Sequence, residues 1–170
     1  MIKGKPAYED LEKAVALLTA QLNQRSEEIS VINAVQEGLA QKMDIQGIYD
    51  LVGDRIRDLF NAQVVVIAKF EEDRENFKYA FENGTRYDFE PRQLDQLRKH
   101  LIQTKQKVVI KNIEEAYAWF KKKAVQDTKP LVSGVFVPLI IEDTVTSYVS
   151  LQTVDIENAF SESDVRLLET

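Results

Sequence analysis

Cysteine is absent from all 170 residues. That excludes a disulfide framework, a thiolate metal site and a cysteine nucleophile, and it fits a reducing, cytoplasmic setting. Histidine occurs once, as His100 between Lys99 and Leu101. A metal centre needs convergent His, Cys or carboxylate ligands, and no such spacing occurs. Lys and Arg number 22 against 28 Asp and Glu, a net charge of −6. The basic field that phosphate binding requires is therefore missing, and nucleic acid is not an expected partner. Lys121-Lys122-Lys123 after Trp119-Phe120 reads as a solvated helix face. No apolar run reaches the ~18 residues a membrane helix needs. Met1 to Pro6 lacks the apolar core of a signal peptide. There is no phosphate-cradling glycine loop, no Gly-x-Ser-x-Gly elbow and no zinc-protease helix. With no nucleophile–base or metal constellation, the expectation is that the chain is not an enzyme.

What is present first is a helix with a seam. Tyr8, Val15, Leu22, Ile29 and Gln36 share one heptad position; Leu11, Leu18, Arg25, Ile32 and Leu39 share the other. β-Branched residues at the first and leucines at the second favour a two-stranded parallel coil. The expected interface is therefore Leu11, Val15, Leu18, Leu22, Ile29, Ile32 and Leu39 in a parallel homodimer. The alternative is a long amphipathic helix packing only on its own domain. Beyond Ile29, Val31 and Val35 widen the apolar stripe, as a helix docking on its own domain requires. Arg25 and Gln36 read as register devices.

A second helix starts at Asp44, an N-cap with Met43 placed to staple on Ile48, and ends at Asn61-Ala62. Gln63 to Phe70 is β-branched and apolar on both faces, the pattern of a central strand. A polar turn over Glu71 to Asn76 leads to an alternating strand, Phe77 to Glu82, that ends at Asn83-Gly84. Asn83-Gly84-Thr85 is a formal glycosylation sequon, read here as a turn. Pro91 opens a helix through Leu94, Leu97 and Leu101 to Lys105, and a short strand spans Lys107 to Lys111. Asn112 and Glu115 form a capping box for a helix bearing Tyr117 and Trp119. Leu131–Ile141 and Thr144–Val154 form a hairpin across Glu142-Asp143. Ser161 and Asp164 box the last helix, with Phe160 stapling on Val165. A helix stopping so soon, at Thr170, suggests a fragment of a longer protein.

Ser133-Gly134-Val135-Phe136-Val137-Pro138-Leu139-Ile140 resembles a strand of GAF domains that runs from Ser to Val-Pro-Leu. Ser150 to Asp155 resembles the next strand, and Ala159 to Leu168 the exit signature. Asp44 to Phe60 and Glu82 to Arg86 also look like GAF domains of bacterial sensor histidine kinases and nucleotide cyclases. The resemblance covers roughly Glu28 to Thr170. It implies an α+β fold: a central antiparallel sheet of five to six strands, helices on both faces, and a long N-terminal coiled-coil helix. The divisions expected are a signalling helix over 1–42, a sensor domain over 43–160 and the start of a truncated output helix over 161–170. The implied role is a regulatory sensor and dimerisation module of a two-component or cyclase system. It would bind a small ligand, or relay conformational signals to a C-terminal output domain. The alternative is a ligand-free structural or protein-recruiting module with a filled pocket.

The pocket implied by the resemblance lies between the sheet and the middle helices. Aromatic walls with a few polar groups suit such a site, which nominates Tyr79, Phe81, Tyr117, Trp119, Ser133, Phe136, Tyr148, Ser150 and Gln152. Relatives that bind cyclic nucleotides carry an Asn-Lys pair near where Thr153-Val154 stands here. Relatives that bind bilin or reduce methionine sulfoxide need cysteine. No cofactor is expected, haem included, and His100 reads as solvent-facing.

Overall fold

The computed structural model describes residues 8–40, 44–120 and 130–169. Among these residues, five helices and an antiparallel sheet make an α+β fold. Helix α1 (Tyr8–Ala40) runs 33 residues, about 50 Å at 1.5 Å per residue. Helix α2 (Ile45–Phe60) begins where Asp44 accepts the Gly47 N–H at 2.7 Å, and stops where Asn61 turns left-handed at φ 46°. The Met43 staple, the lysine run 121–123 and Thr170 lie outside the described residues.

Strands β1 (Val64–Glu71), β2 (Arg74–Glu82), β3 (Thr85–Arg86), β4 (Arg92–Gln93), β5 (Val108–Ile110), β6 (Ser133–Ile141) and β7 (Thr144–Thr153) form the sheet. Its order is β3-β2-β1-β7-β6-β5, with β4 also pairing with β2. Six strands thus lie in line, and the short β4 is an addition to the expected five to six. Val65, Val66, Ile67 and Ala68 of β1 are all buried, as a strand covered on both faces must be. Glu142 and Asp143 close the β6–β7 hairpin with φ of 48° and 66°, the left-handed pair of a tight hairpin turn.

Helices cover both faces. On one, Val65, Ile67, Tyr79, Val135, Val137, Val149 and Leu151 pack with Ile56 of α2 and Val165 of α5 (Glu162–Leu168). On the other, Val66, Ala68, Phe136 and Tyr148 pack with Leu97 and Leu101 of α3 (Gln96–Thr104) and Ala116 of α4 (Ile113–Phe120). Ser161 and Asp164 form the expected reciprocal capping box of α5.

Three local expectations need correcting. The β1–β2 turn is only Glu72-Asp73, so Arg74, Glu75 and Asn76 belong to β2. Pro91 does not open α3; Arg92 and Gln93 pair with Glu75 and Arg74, and Asp95 is the N-cap instead. The box at α4 is half-formed: Asn112 accepts the Glu115 N–H at 3.0 Å, but the Glu115 carboxylate takes the N–H of Lys111.

A bulge decides which side chains share a face. Ile67 pairs with Tyr79, yet Ala68 pairs with Phe77, which leaves Lys78 without a partner across β1. An extra residue reverses the side-chain parity of everything on one side of it. Tyr79 and Phe81 therefore face α2, while Phe77 and Glu75 face α3. The amide of Gln46 on α2 donates to the freed carbonyl of Lys78 at 2.7 Å and holds the bulge in place.

Candidate functional site: the charged face under the middle helices

Between the sheet and α3 lies a knot of buried charge. Glu75 is 0% exposed and Arg98 3%. Burying either ion alone costs several kcal/mol, so each needs complete pairing. Arg98 Nε donates to Glu75 Oε2 at 3.2 Å, Nη1 to Asp95 Oδ2 at 2.9 Å and Nη2 to the Tyr148 hydroxyl at 3.0 Å. The Tyr148 hydroxyl in turn donates to Glu75 Oε2 at 2.5 Å. Arg92 reaches in from β4 and bonds Glu75 Oε1. Asp95 does two jobs, since its other oxygen accepts the Arg98 N–H and caps α3. Formal charges cancel: Glu75 and Asp95 against Arg92 and Arg98.

The surroundings are aromatic. The Arg98 guanidinium lies 5.2 Å from the Tyr148 ring centre, 5.4 Å from Phe136 and 5.9 Å from Phe120. All three fall within cation–π range. Phe70 stacks on Tyr148 at 5.5 Å. Burial, above all, pushes the Tyr148 hydroxyl up to about 12; Arg98 opposes this and Glu75 adds to it. Arg98 is held above its ordinary value even though burial works against its charge, because Tyr148, Glu75 and Asp95 outweigh the desolvation.

The nominated pocket residues divide between faces. Trp119, Phe136, Tyr148, Ser150 and Gln152 lie on the α3–α4 side, where the Gln152 amide donates to Ser150 Oγ at 2.9 Å. Tyr79 and Phe81 lie across the sheet. There Tyr79 donates to Asp54 at 2.9 Å beneath Arg86, and Phe81 sits under Arg57. Ser133 is also on that far side; it bonds Thr153 Oγ1 at 3.0 Å and the Ile156 carbonyl at 2.7 Å, and so ties down the connection to α5. Tyr117 on α4 is 38% exposed. His100 is not simply solvent-facing, because it is half-buried against the edge of Trp119 at 5.0 Å.

Glu75 and Arg98 were missed at the sequence level, though signals existed. Arg98 stands one residue after Leu97 and three before Leu101, inside the apolar arc of α3. Glu75 sits two residues before Phe77, in strand period with it. Among the described residues, no group of three His, Asp or Glu side chains is placed to hold a metal ion. No described helix is long and apolar enough to cross a membrane.

The second feature is the outer face of α1. Leu11, Val15, Leu18, Leu22, Ile29 and Ile32 are 53–70% exposed. The side chain of Leu39 lies outside the described residues. On the opposite side of the same helix Ala34 is buried, and Val31 and Val35 are half-buried, where α1 docks against α2. Arg25 pairs within the helix with Glu28 at 3.3 Å.

A family model described as the GAF domain matches residues 42–170. The chain belongs to the GAF domain family. Solved structures share the fold at low identity. The phycoerythrobilin-bound GAF domain of a cyanobacterial phytochrome has a TM-score of 0.69 at 13% identity, over 85% of this chain and 90% of that one. The GAF domain of the Acinetobacter phosphoenolpyruvate-protein phosphotransferase has a TM-score of 0.64 at 14% identity, over 85% of each chain. The type II free methionine-R-sulfoxide reductase from Thermoplasma acidophilum has a TM-score of 0.57 at 16% identity, over 75% of this chain and 88% of that one. No curated protein matches. GAF domains generally serve as regulatory sensor modules of signalling proteins, and some of the similar structures are enzymes.

Proposed function

We propose that this chain is a non-catalytic regulatory module of a cytoplasmic signalling protein. It dimerises in parallel through α1 and relays conformational change to an output domain such as a histidine kinase or nucleotide cyclase. The observation that carries the reading is the two-sided character of α1. One side is seated on α2 and the other presents six large apolar residues to solvent. A helix gripped by its own domain and by a symmetry mate is placed to convert a shift in one into a shift in the other. The space between the sheet and α3, where the resemblance implies a pocket, holds the chain's own Arg98, Glu75 and Tyr148, so on this reading the basal state needs no small molecule. The sulfoxide reductase in the comparison is an enzyme, but the cysteine chemistry expected of such relatives has no residue to run on here.

Light scattering tests the reading. The chain should run as a dimer, and Leu18→Glu with Leu22→Glu should run as a monomer that keeps its far-ultraviolet circular dichroism. A wild-type monomer, or a double variant that stays dimeric, would refute dimerisation through this face.

A further inference from the structure

Arg98 is enclosed as a bound ligand would be. Its three guanidinium nitrogens meet three different acceptors, on Glu75, Asp95 and Tyr148, and three rings wall its carbon. The side chain is 4% exposed, but the layer above it is open: the Asp95 side chain is 39% exposed and that of Arg92 56%. Arg98 hangs from the first turn of α3, whereas Glu75, Phe136 and Tyr148 stand on paired strands. The occupant and its Asp95 acceptor therefore belong to the start of α3, whereas the rest of the cage belongs to the sheet.

We propose that this cage is a guanidinium-binding site whose resident occupant is Arg98. A small molecule bearing a free guanidinium group takes the site by displacing that side chain. The proposal rests on the regulatory reading above, for which it supplies the input. The chemistry selects the class. With Arg98 withdrawn, Glu75 and Asp95 against Arg92 leave one net negative charge, which suits a monocation and repels an anion. The acceptors diverge around a planar fork, which a guanidinium can satisfy at three nitrogens and a compact ammonium cannot. Because Arg98 competes from within the chain, the free ligand binds the wild type more weakly than its intrinsic affinity.

The test titrates the full chain and its Arg98→Ala and Arg98→Lys variants with ethylguanidinium, ethylammonium and acetate at matched ionic strength. Trp119 is the only tryptophan and packs against the apolar cluster that includes the cage residues Phe136 and Tyr148, so its fluorescence reads the site alongside the melting temperature. Arg98→Ala should bind ethylguanidinium at least tenfold more tightly than wild type and should gain melting temperature with it. Ethylammonium should act at least tenfold more weakly, and acetate not at all. If Arg98→Ala does not fold alone, ethylguanidinium should restore its folding, and Arg98→Lys should show the same order of ligands. Preference for acetate, equal response to ethylammonium, no uptake by either variant, or no response of wild type at saturation would each overturn the proposal. Subunit mass measured on the same samples separates the two ideas. Monomers that still take up ethylguanidinium refute only the dimer, and dimers that do not refute only the cage.

Discussion

Leu18 and Leu22 on α1 are 58% and 70% exposed, whereas Glu75 and Arg98 beneath α3 are 0% and 3%. Each region inverts the usual arrangement of apolar residues inside and charges outside, and such inversions carry more information than the rule. On α1 the inversion is open-ended, since large apolar side chains are left exposed. Under α3 it is closed, since charge is satisfied from within the chain. The first is the basis of the proposed dimer, and the second of the proposed guanidinium site.

The largest effect is expected at α1. Burying a leucine contributes about 1.5–3 kcal/mol, so Leu18→Glu with Leu22→Glu should weaken dimerisation by roughly a hundredfold or more. Sedimentation equilibrium would show it, with the sheet domain's melting curve retained. A fall in melting temperature as large as that of a core variant would place α1 in the domain's own core.

Under α3 the single variants should cost more than the double. Removing one partner of a buried pair typically costs about 3–5 kcal/mol, because the other charge is left unpaired. Urea unfolding should show Arg98→Met near that value. Glu75→Leu combined with Arg98→Met should restore much of the loss, and equal or additive losses would show that the ions are not acting as a pair.

Alkali sharpens the same contrast. The Tyr148 hydroxyl, raised to about 12 mainly by burial, stays neutral in the fold after it would ionise in the unfolded chain. Its contribution is intact below pH 10 and falls as pH rises through about 12, by about 2–3 kcal/mol in all. Stability measured across that window should drop in wild type and drop less in Tyr148→Phe. A variant indistinguishable from wild type would mean that Tyr148 is not the group titrating. The smallest effect belongs to an ordinary cap: Ser161→Ala should cost about 1 kcal/mol in urea unfolding and should leave dimer mass unchanged.

Most of the fold was legible because its signals are local. The β-branched run from Val64 to Ile67, the caps Asp44 and Ser161, and the Glu142-Asp143 turn each constrain their own segment. Five of the nine nominated pocket residues do share the α3–α4 face. What the sequence concealed was set at a distance. Phe77, Tyr79 and Phe81 alternate as if on one face, but the bulge at Lys78, held by Gln46 some thirty residues away, divides them. Glu75 looked like turn polarity until its pairing with Arg92 made it strand. Arg98 drew no reading beside the solvent-facing one of His100, although the spacing of Leu97 and Leu101 already set it on the buried arc.

A parallel dimer through the outer face of α1 can be measured cleanly, because the chain has no native cysteine. Leu18→Cys lies on the seam and Lys13→Cys on the opposite side of the same helix. Under mild oxidation a parallel, in-register pair brings the two Leu18→Cys sulfurs within disulfide reach, so this variant should convert to covalent dimer while Lys13→Cys stays monomeric on a denaturing gel. Cross-linking at Lys13→Cys, or none at Leu18→Cys, would rule out a parallel pair through this face of α1.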